Sequence, residues 1–486
     1  MIRVWSGRAQ AGVLARLDRS GSTFAYAPGL ADDKAVSLTM PVRVQSWDWR
    51  HGLLPIFDMN LPEGALKERL LRRFAKAAGQ FDDLDLLSVV GRTQLGRLRY
   101  SGVGENLDET VPYQSVDDIL RARRDGGLYD YLLEEFARYS GVSGVQPKVL
   151  IRDESKLSVA KGREPSIRSA THIVKFWDPR DYPELAANEY FCLIAARKAG
   201  LPVPETWLSE TGEALVVERF DLSAAGEYLG LEDFCVLNGV NTAAKYKGGY
   251  ETKVFKRLRD FVEPAHAPAA LKQLYRLFVL NCALRNGDAH LKNFALLYPE
   301  GSGCTTLAPV YDLVTTTAYL PRDAMALTLD GSASWPDRGR LMRLGQTRAD
   351  LSAAEINAIL EQTADALNES WPLANRYFGS SSDREIGERI GAAWRQGIRD
   401  SLGLTGRRSA HAPPRPPLVR PTAASQVAIL DYLEKLGGPF TGTLQSLAHV
   451  LNMPQSTVSQ GVRLLASRGF ITRQGKTLTC ATPAVR

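Results

Sequence analysis

The stretch GRRSAHAPPRPPLVRP, residues 406–421, most constrains what this chain can fold into. Its prolines (Pro413, Pro414, Pro416, Pro417 and Pro421) fix φ and remove backbone donors, so neither a helix nor a strand can run through it. With arginines between them the segment reads as a stiff, extended linker, and the 486 residues must fold as separate bodies on either side. Charge divides at the same place. From Arg407 to Arg486 ten Lys and Arg residues face only Asp431 and Glu434, a net of +8; the whole chain carries +6, which leaves −2 for the preceding 406 residues. A small basic tail behind a nearly neutral body suits a polyanionic partner.

The tail, residues 422–486, has the pattern of a compact domain. SQVAILDYLEKLG is an amphipathic helix ending at Gly437, and TLQSLAHVLN is a second, with Leu444, Leu447 and Leu451 on one face. After an NMP turn, QSTVSQGVRLLASRG places Val458, Val462 and Leu465 at helical spacing, and Gly469 supplies the stop. FITRQGKTLTC then alternates as two short strands around Gln474-Gly475. Two helices joined by a short turn and followed by a basic hairpin make a winged helix-turn-helix. Gln455, Ser456, Thr457, Ser459 and Gln460 open its second helix, where they can reach base edges and phosphates of double-stranded DNA; Arg463, Arg473 and Lys476 are placed for the backbone. A helical domain used for protein contacts, with these polar residues as a solvated face, is the alternative.

Composition bounds the rest. With 44% hydrophobic and 23% charged residues the chain is expected to be globular, and no window approaches the ~20 apolar residues of a membrane span. MIRVWSGRAQ lacks the apolar core of a signal peptide. Five scattered cysteines form no CxxC pair, which argues against a disulfide framework or a zinc site. A cytoplasmic protein, on the nucleoid when bound to DNA, is expected. Residues 1–105 mix strand-like runs (SGSTFAYAP, AVSLTMPV) with the helical PEGALKERLLRRFAKAAG and carry no catalytic constellation.

The middle of the chain carries the chemistry. SGVSGVQPKVLI, residues 140–151, is a small-residue loop whose backbone can approach phosphate oxygens before it enters a β-rich segment. THIVKFW sets Lys175 inside a strand pattern, and ELAANEYFCLIAARKAG is a helix with Glu184 and Glu189. A strand lysine followed by a helix glutamate is how protein kinases hold a lysine against ATP phosphates. EALVVERFDL is a buried strand that turns polar, as a hinge for an adenine would. RNGDAHLKNF spaces Asp288 and Asn293 as D-x-x-x-x-N, a carboxylate to accept a hydroxyl proton and an amide oxygen for Mg²⁺. Nineteen residues later LAPVYDLV presents Asp312 as a second metal-binding carboxylate. Each piece alone is an ordinary loop, edge or strand end. Their order is what points to phosphoryl transfer.

The motifs SGVQPK, THIVKF, NEYFCLIAARKAGLPV, LVVERFD, LEDFCVLNG, NGDAHLKNF and APVYDL, spread over residues 140–315, resemble those of the HipA family of bacterial serine/threonine kinases, toxins of toxin–antitoxin modules. The first 105 residues resemble the family's N-terminal subdomain. The resemblance implies an α+β, two-lobed protein-kinase-like fold with an N-terminal subdomain (1–105), a kinase N-lobe (106–222) and a helical C-lobe (223–405), to which the residue pattern adds the linker (406–421) and the winged helix-turn-helix (422–486). It implies ATP with Mg²⁺ and a protein acceptor, aminoacyl-tRNA synthetases being the substrate class. Lys175 matches the ATP-phosphate lysine, Asp288 the catalytic base, and Asn293 and Asp312 the metal ligands. Glu218 and Phe220 match the adenine hinge. Ser143 and Gly144 belong to the phosphate loop, and His290 and Lys292 orient the phosphate or the catalytic loop, with His290 as base the alternative.

Two departures stand out. The family implies self-phosphorylation of a serine before GxQxK; this chain has Gly141 where some members have that serine, so Ser143 is the candidate and Ser140 its alternative. The family usually depends on a separate DNA-binding antitoxin, whereas here a DNA-binding module occupies the same chain and can supply operator binding, and restraint of the kinase, in cis. A separate antitoxin remains an expected partner, and a homodimer fits a DNA-binding module of this size. The competing readings are a transcriptional regulator whose kinase fold binds nucleotide without transfer, and a small-molecule kinase.

Overall fold

The computed structural model describes residues 1–17, 20–64, 67–68, 70–71, 81–122, 127–142, 144, 146–157, 169–177, 182–223, 226–299, 304–381, 383–404, 424–436, 438–467, 471–474 and 477–480. The chain forms two compact units, Met1–Arg407 and Arg408–Arg486. Among the described residues no helix is long and apolar enough to cross a membrane.

The larger unit begins with an antiparallel sheet in the order β4-β3-β2-β1-β5, made of β1 (Ile2–Ser6), β2 (Ala9–Arg16), β3 (Ser22–Tyr26), β4 (Trp47–Trp49) and β5 (Leu98–Gly102). Burial alternates along β1, with Ile2 and Val4 inward, because successive side chains of a strand face opposite sides. Phe24, Phe57 and Tyr100 fill the space beneath it. Helix α1 (Asp83–Val90) starts on a capping box from Asp82 and Asp85 and packs by β5. One strand-like run behaves differently. AVSLTMPV forms no strand, only an isolated Ser37–Met40 bridge, because the Ser37 hydroxyl (2.8 Å) and the Leu38 N–H (2.7 Å) donate to Glu232. The helix expected over residues 62–79 lies largely outside the described residues.

A second antiparallel sheet, β6-β7-β9-β8, follows: β6 (Lys148–Ile151), β7 (His172–Phe176), β8 (Thr206–Leu208) and β9 (Ala214–Glu218). β6, β7 and β9 are buried at every position, which is why their sequences read as near-continuous apolar runs. Helix α2 (Gly127–Phe136) packs against β6, and α3 (Leu185–Lys198) against β8 and β9. A small sheet of β10 (Gly230–Asp233), β11 (Ala295–Tyr298) and β12 (Thr306–Leu307) comes next. It is joined by α4 (Ala267–Leu284), α5 (Arg338–Arg348), α6 (Ala353–Ser380) and α7 (Arg384–Asp400). The α4 run LYRLFVLNCAL is buried nearly all round, from Leu274 to Leu284, as befits a helix with neighbours on every side.

The smaller unit has its own core. Helices α8 (Ala424–Lys435), α9 (Leu444–Val450) and α10 (Gln455–Ser467) enclose Ile429, Leu433, Leu447, Val458, Val462 and Leu465. Against them lies a sheet ordered β13-β15-β14, from β13 (Phe440–Thr441), β14 (Ile471–Gln474) and β15 (Thr477–Cys480). Thr443 and Ser446 form a capping box on α9, and Asn452 takes the left-handed conformation (φ 48°) that turns the chain toward α10.

Close packing of α7 against α4 sets a sharp steric limit. A Cβ on Gly397 would overlap the Ala283 carbonyl, whereas one on Gly379 would meet nothing within 4 Å. Gly397→Ala is therefore expected to lower the stability of the larger unit by about 2 kcal/mol or more, and Gly379→Ala to be neutral or stabilising by up to ~1 kcal/mol, both read by thermal or denaturant unfolding.

Candidate active site

The site is built outward from β7. Lys148 and Lys175 are direct cross-strand partners in the β6–β7 pair, so their buried side chains stand on one face. Lys175 Nζ donates to Glu189 Oε1 of α3 at 2.6 Å and also ion-pairs with the Asp312 carboxylate. Burial alone would lower the Lys175 ammonium; Asp312 and Glu189 more than offset this and hold its pKa raised. Burial likewise favours neutral Asp312, but Lys175 and Lys148 hold its carboxyl well below the usual range. Glu189, shut in beside both, is pushed up by burial, and burial lowers the Lys148 ammonium. Glu184, the other glutamate of this segment, serves a different purpose: it precedes α3 at φ 56° and accepts from Tyr377 at 2.9 Å and from Ser381.

The loop after α4 is set by local geometry. Arg285 caps α4 in the left-handed conformation (φ 58°), stabilised by Ser401 Oγ at 3.1 Å and by the Trp335 ring 5.1 Å away. Asn286 donates to Asn281 Oδ1 (2.7 Å) and accepts from the Asp288 N–H (3.1 Å), which starts the turn. Asp288 is half-exposed, and burial raises its pKa against the opposing effects of the Tyr246 hydroxyl and Lys245. Tyr246 donates to Asp288 Oδ1 at 2.7 Å. Asn293 Nδ2 donates to the Asp288 carbonyl (2.8 Å) and reaches the Asp312 carbonyl at 3.5 Å, which ties both acidic positions together through the backbone by the amide nitrogen alone. Asp312 itself is left-handed (φ 50°), a strained setting for a residue at a working site. His290 Nε2 lies 4.0 Å from Asp288 Oδ1; burial and then Lys245 lower its pKa to about 3, so the ring is neutral.

One cavity gathers these groups. Lys148, Lys175, Glu189, Asp288, Asn293 and Asp312 line it, and so do Gly144, Phe220, His290 and Lys292. Gly144 sits at φ 121°, and a Cβ there would overlap Lys148 Nζ, so this glycine lets the loop backbone lie directly against the Lys148 ammonium. Phe220 stacks on Tyr311 with ring centroids 5.4 Å apart and, with Val217, offers an apolar wall. Glu218, the last residue of β9, is buried and is not a lining residue. Lys292 reaches the cavity, but its ammonium is engaged by the Met59 carbonyl (2.9 Å), Thr242 Oγ1 (3.1 Å) and Glu63 (3.4 Å).

The two candidate serines fare differently. Ser140 is fully buried; its hydroxyl donates to the Phe136 carbonyl (2.7 Å) and accepts from the Leu150 N–H (2.9 Å), the pattern of a structural residue. Ser143 lies outside the described residues, as does Lys476. Gln455, Thr457 and Ser459 fall on the first turns of α10, where Gln455 is exposed and Thr457 and Ser459 are partly exposed. The side chains of Ser456, Gln460, Arg463 and Arg473 lie outside what the structure describes.

Lys148, Glu63, Lys245 and Tyr246 carried no assigned role in the sequence reading. Lys148 had a signal, since it closes the glycine-loop motif and the strand register sets it beside Lys175. Glu63, Lys245 and Tyr246 had none. Glu63 comes from the N-terminal part of the unit, and Lys245 and Tyr246 from a loop whose sequence, AAKYKGG, is unremarkable.

The arrangement is kinase-like, and comparison with known proteins gives the family. Residues 2–101 match the HipA N-terminal domain and residues 140–371 the HipA-like C-terminal domain. A Sinorhizobium fredii (strain NBRC 101917 / NGR234) protein named "Putative kinase Y4mE" is 31% identical over 324 residues, 62% of this chain and 74% of that protein. A second from the same strain, "Putative kinase Y4dM", is 27% identical over 335 residues, 65% of this chain and 76% of that protein. The fold is shared with HipA from Shewanella oneidensis MR-1, solved with HipB and its operator DNA: TM-score 0.60 and 19% identity, covering 83% of this chain and 98% of that one. The chain belongs to the HipA family.

The buried charge cluster generates a stability test. Lys175→Met leaves Glu189 and Asp312 without their nearest cation, and losing one member of a buried ion pair costs about 3–5 kcal/mol. Denaturant unfolding of the variant is expected to show a loss of that order; an unchanged midpoint would contradict the pairing.

Proposed function

We propose that this protein is an ATP- and Mg²⁺-dependent serine/threonine protein kinase of the HipA toxin type, which phosphorylates itself in its glycine loop and binds operator DNA through its smaller unit. The observation that carries the reading is the convergence of Lys175, Glu189, Asp288, Asn293 and Asp312 on one cavity. Phosphoryl transfer asks little covalent chemistry of a protein, mainly positioning and charge. Lys175, held by Glu189, and Lys148 beside it present buried positive charge to phosphate oxygens over the side-chain-free Gly144. Val217 and Phe220 accept the flat face of a base. Asp312 and the Asn293 amide oxygen are hard oxygen ligands of the kind Mg²⁺ takes. When bound, the ion supplies positive charge to the transferring phosphate and its leaving oxygen. Asp288 accepts the proton of the incoming hydroxyl: burial raises its pKa, while burial and Lys245 lower that of His290 to about 3 and leave the imidazole the weaker base.

The solved relative's complex with HipB and operator DNA supports an antitoxin and DNA as partners. Family resemblance supports a protein acceptor, with aminoacyl-tRNA synthetases as the class. For the smaller unit, three helices over a small antiparallel sheet, with the net positive charge of the tail, support a winged helix-turn-helix on double-stranded DNA.

Intact mass of the purified, phosphate-free protein after incubation with ATP and Mg²⁺ tests the kinase. One added phosphate is expected in the parent and none in Asp288→Asn, with peptide mapping placing it at Ser143. A parent that gains none and phosphorylates no added protein would leave the regulator reading. For the tail, Arg473→Ala with Lys476→Ala is expected to weaken DNA binding across sequences and to flatten the salt slope by about 2, one unit for each phosphate no longer neutralised. A parent affinity independent of salt would contradict DNA binding.

A further inference from the structure

A hydroxyl acceptor has to bring its O–H to within about 2.6–3.2 Å of the base that takes its proton. On Asp288 Oδ1 that place is held by a group of the protein itself, the Tyr246 hydroxyl at 2.7 Å. The phenol is carried there by a fastened loop. Leu291 N–H, within the catalytic loop, donates to the Lys245 carbonyl at 3.1 Å, and Lys245 Nζ pairs with Glu63 Oε2 at 2.7 Å. Three residues earlier, Thr242 N–H donates to Asp58 Oδ2 at 2.8 Å. The backbone is thus tied both to the catalytic loop and to residues 58–63 of the N-terminal part. The side chain is held more lightly: Tyr246 lines the cavity yet remains 51% exposed, with His290 edge-to-face (centroids 5.0 Å) and Lys245 Nζ 5.6 Å from the ring centroid beside its bond to Asp288. A half-exposed aromatic ring can swing out without opening the core.

We propose that Tyr246 gates the acceptor site, its hydroxyl occupying the position that a serine or threonine hydroxyl must take on Asp288. The inference rests on the kinase reading of the cavity and deepens it. Transfer requires the acceptor to displace the phenol, so the protein's own hydrogen bond competes with water and with poorly fitting hydroxyls. An acceptor that docks well enough to move Tyr246 gains access to the base. Because the same loop is tied to Glu63 and Asp58, a partner that shifts the N-terminal part changes how firmly the gate is held.

The test is steady-state phosphate release from Mg-ATP, with water as acceptor, by the full chain and by Tyr246→Phe, which keeps the ring on His290 and removes only the hydroxyl. The expected result is a rise in kcat of roughly three- to tenfold, the factor set by one net hydrogen bond, with KM for ATP unchanged. Turnover from Tyr246→Phe when the parent shows none would support the gate equally. A fall in kcat would overturn it and make Tyr246 a positioning residue for Asp288. An unchanged kcat in an active parent would overturn the gate while leaving the kinase reading intact. If neither protein releases phosphate, the gate against water is overturned, while the kinase reading stands or falls separately on the intact-mass measurement.

Discussion

The larger unit depends on one buried interaction, the Lys175 ammonium held between Glu189 and Asp312. Charges removed from water are tolerated only in close, complementary pairs, and here the partners come from three elements: β7, α3 and the left-handed turn at Asp312. Satisfying that cluster fixes how α3 lies over the sheet and where the segment after β12 must pass. It also explains the opposed shifts, Lys175 raised and Asp312 depressed, so that both remain ionised in an environment that disfavours charge. The cavity follows from this arrangement.

Much of this was legible in the sequence, for identifiable reasons. Lys175, Asp288, Asn293 and Asp312 sit in short motifs whose spacing reports local geometry, and the structure brings all four to one cavity. The buried strands HIVKF and ALVVE and the helices of the smaller unit were readable from periodicity. What stayed hidden is long-range. Glu189 and Glu184 look equivalent in sequence, yet the first, inside α3, reaches Lys175 and the second, in the left-handed turn just before it, accepts from Tyr377 and Ser381. AVSLTMPV has the composition of a strand, but Glu232, nearly two hundred residues away, captures its donors. Ser140 reads as a free loop serine and proves to be a buried bridge between Phe136 and Leu150.

The N-terminal part is more than an appendage to the kinase-like part. Glu63 reaches Lys245 and Lys292, the Met59 carbonyl accepts from Lys292, and Asp221 accepts from the Gly96 N–H at 2.6 Å. Through these contacts it helps set the position of the loop from Asp288 to Asn293 and of Tyr246, whose hydroxyl bonds Asp288. The smaller unit has its own core and carries the excess basic charge, while the larger unit is nearly neutral.

The most direct measurement is a calorimetric titration of ATP into the protein, with and without Mg²⁺, alongside Asp312→Asn. A nucleotide site organised by Lys175 and Asp312 should take one ATP per chain in a Mg²⁺-dependent manner, and the variant should lose the dependence on the ion. Binding of equal strength with or without Mg²⁺, unchanged in Asp312→Asn, would contradict the assignment of this cavity.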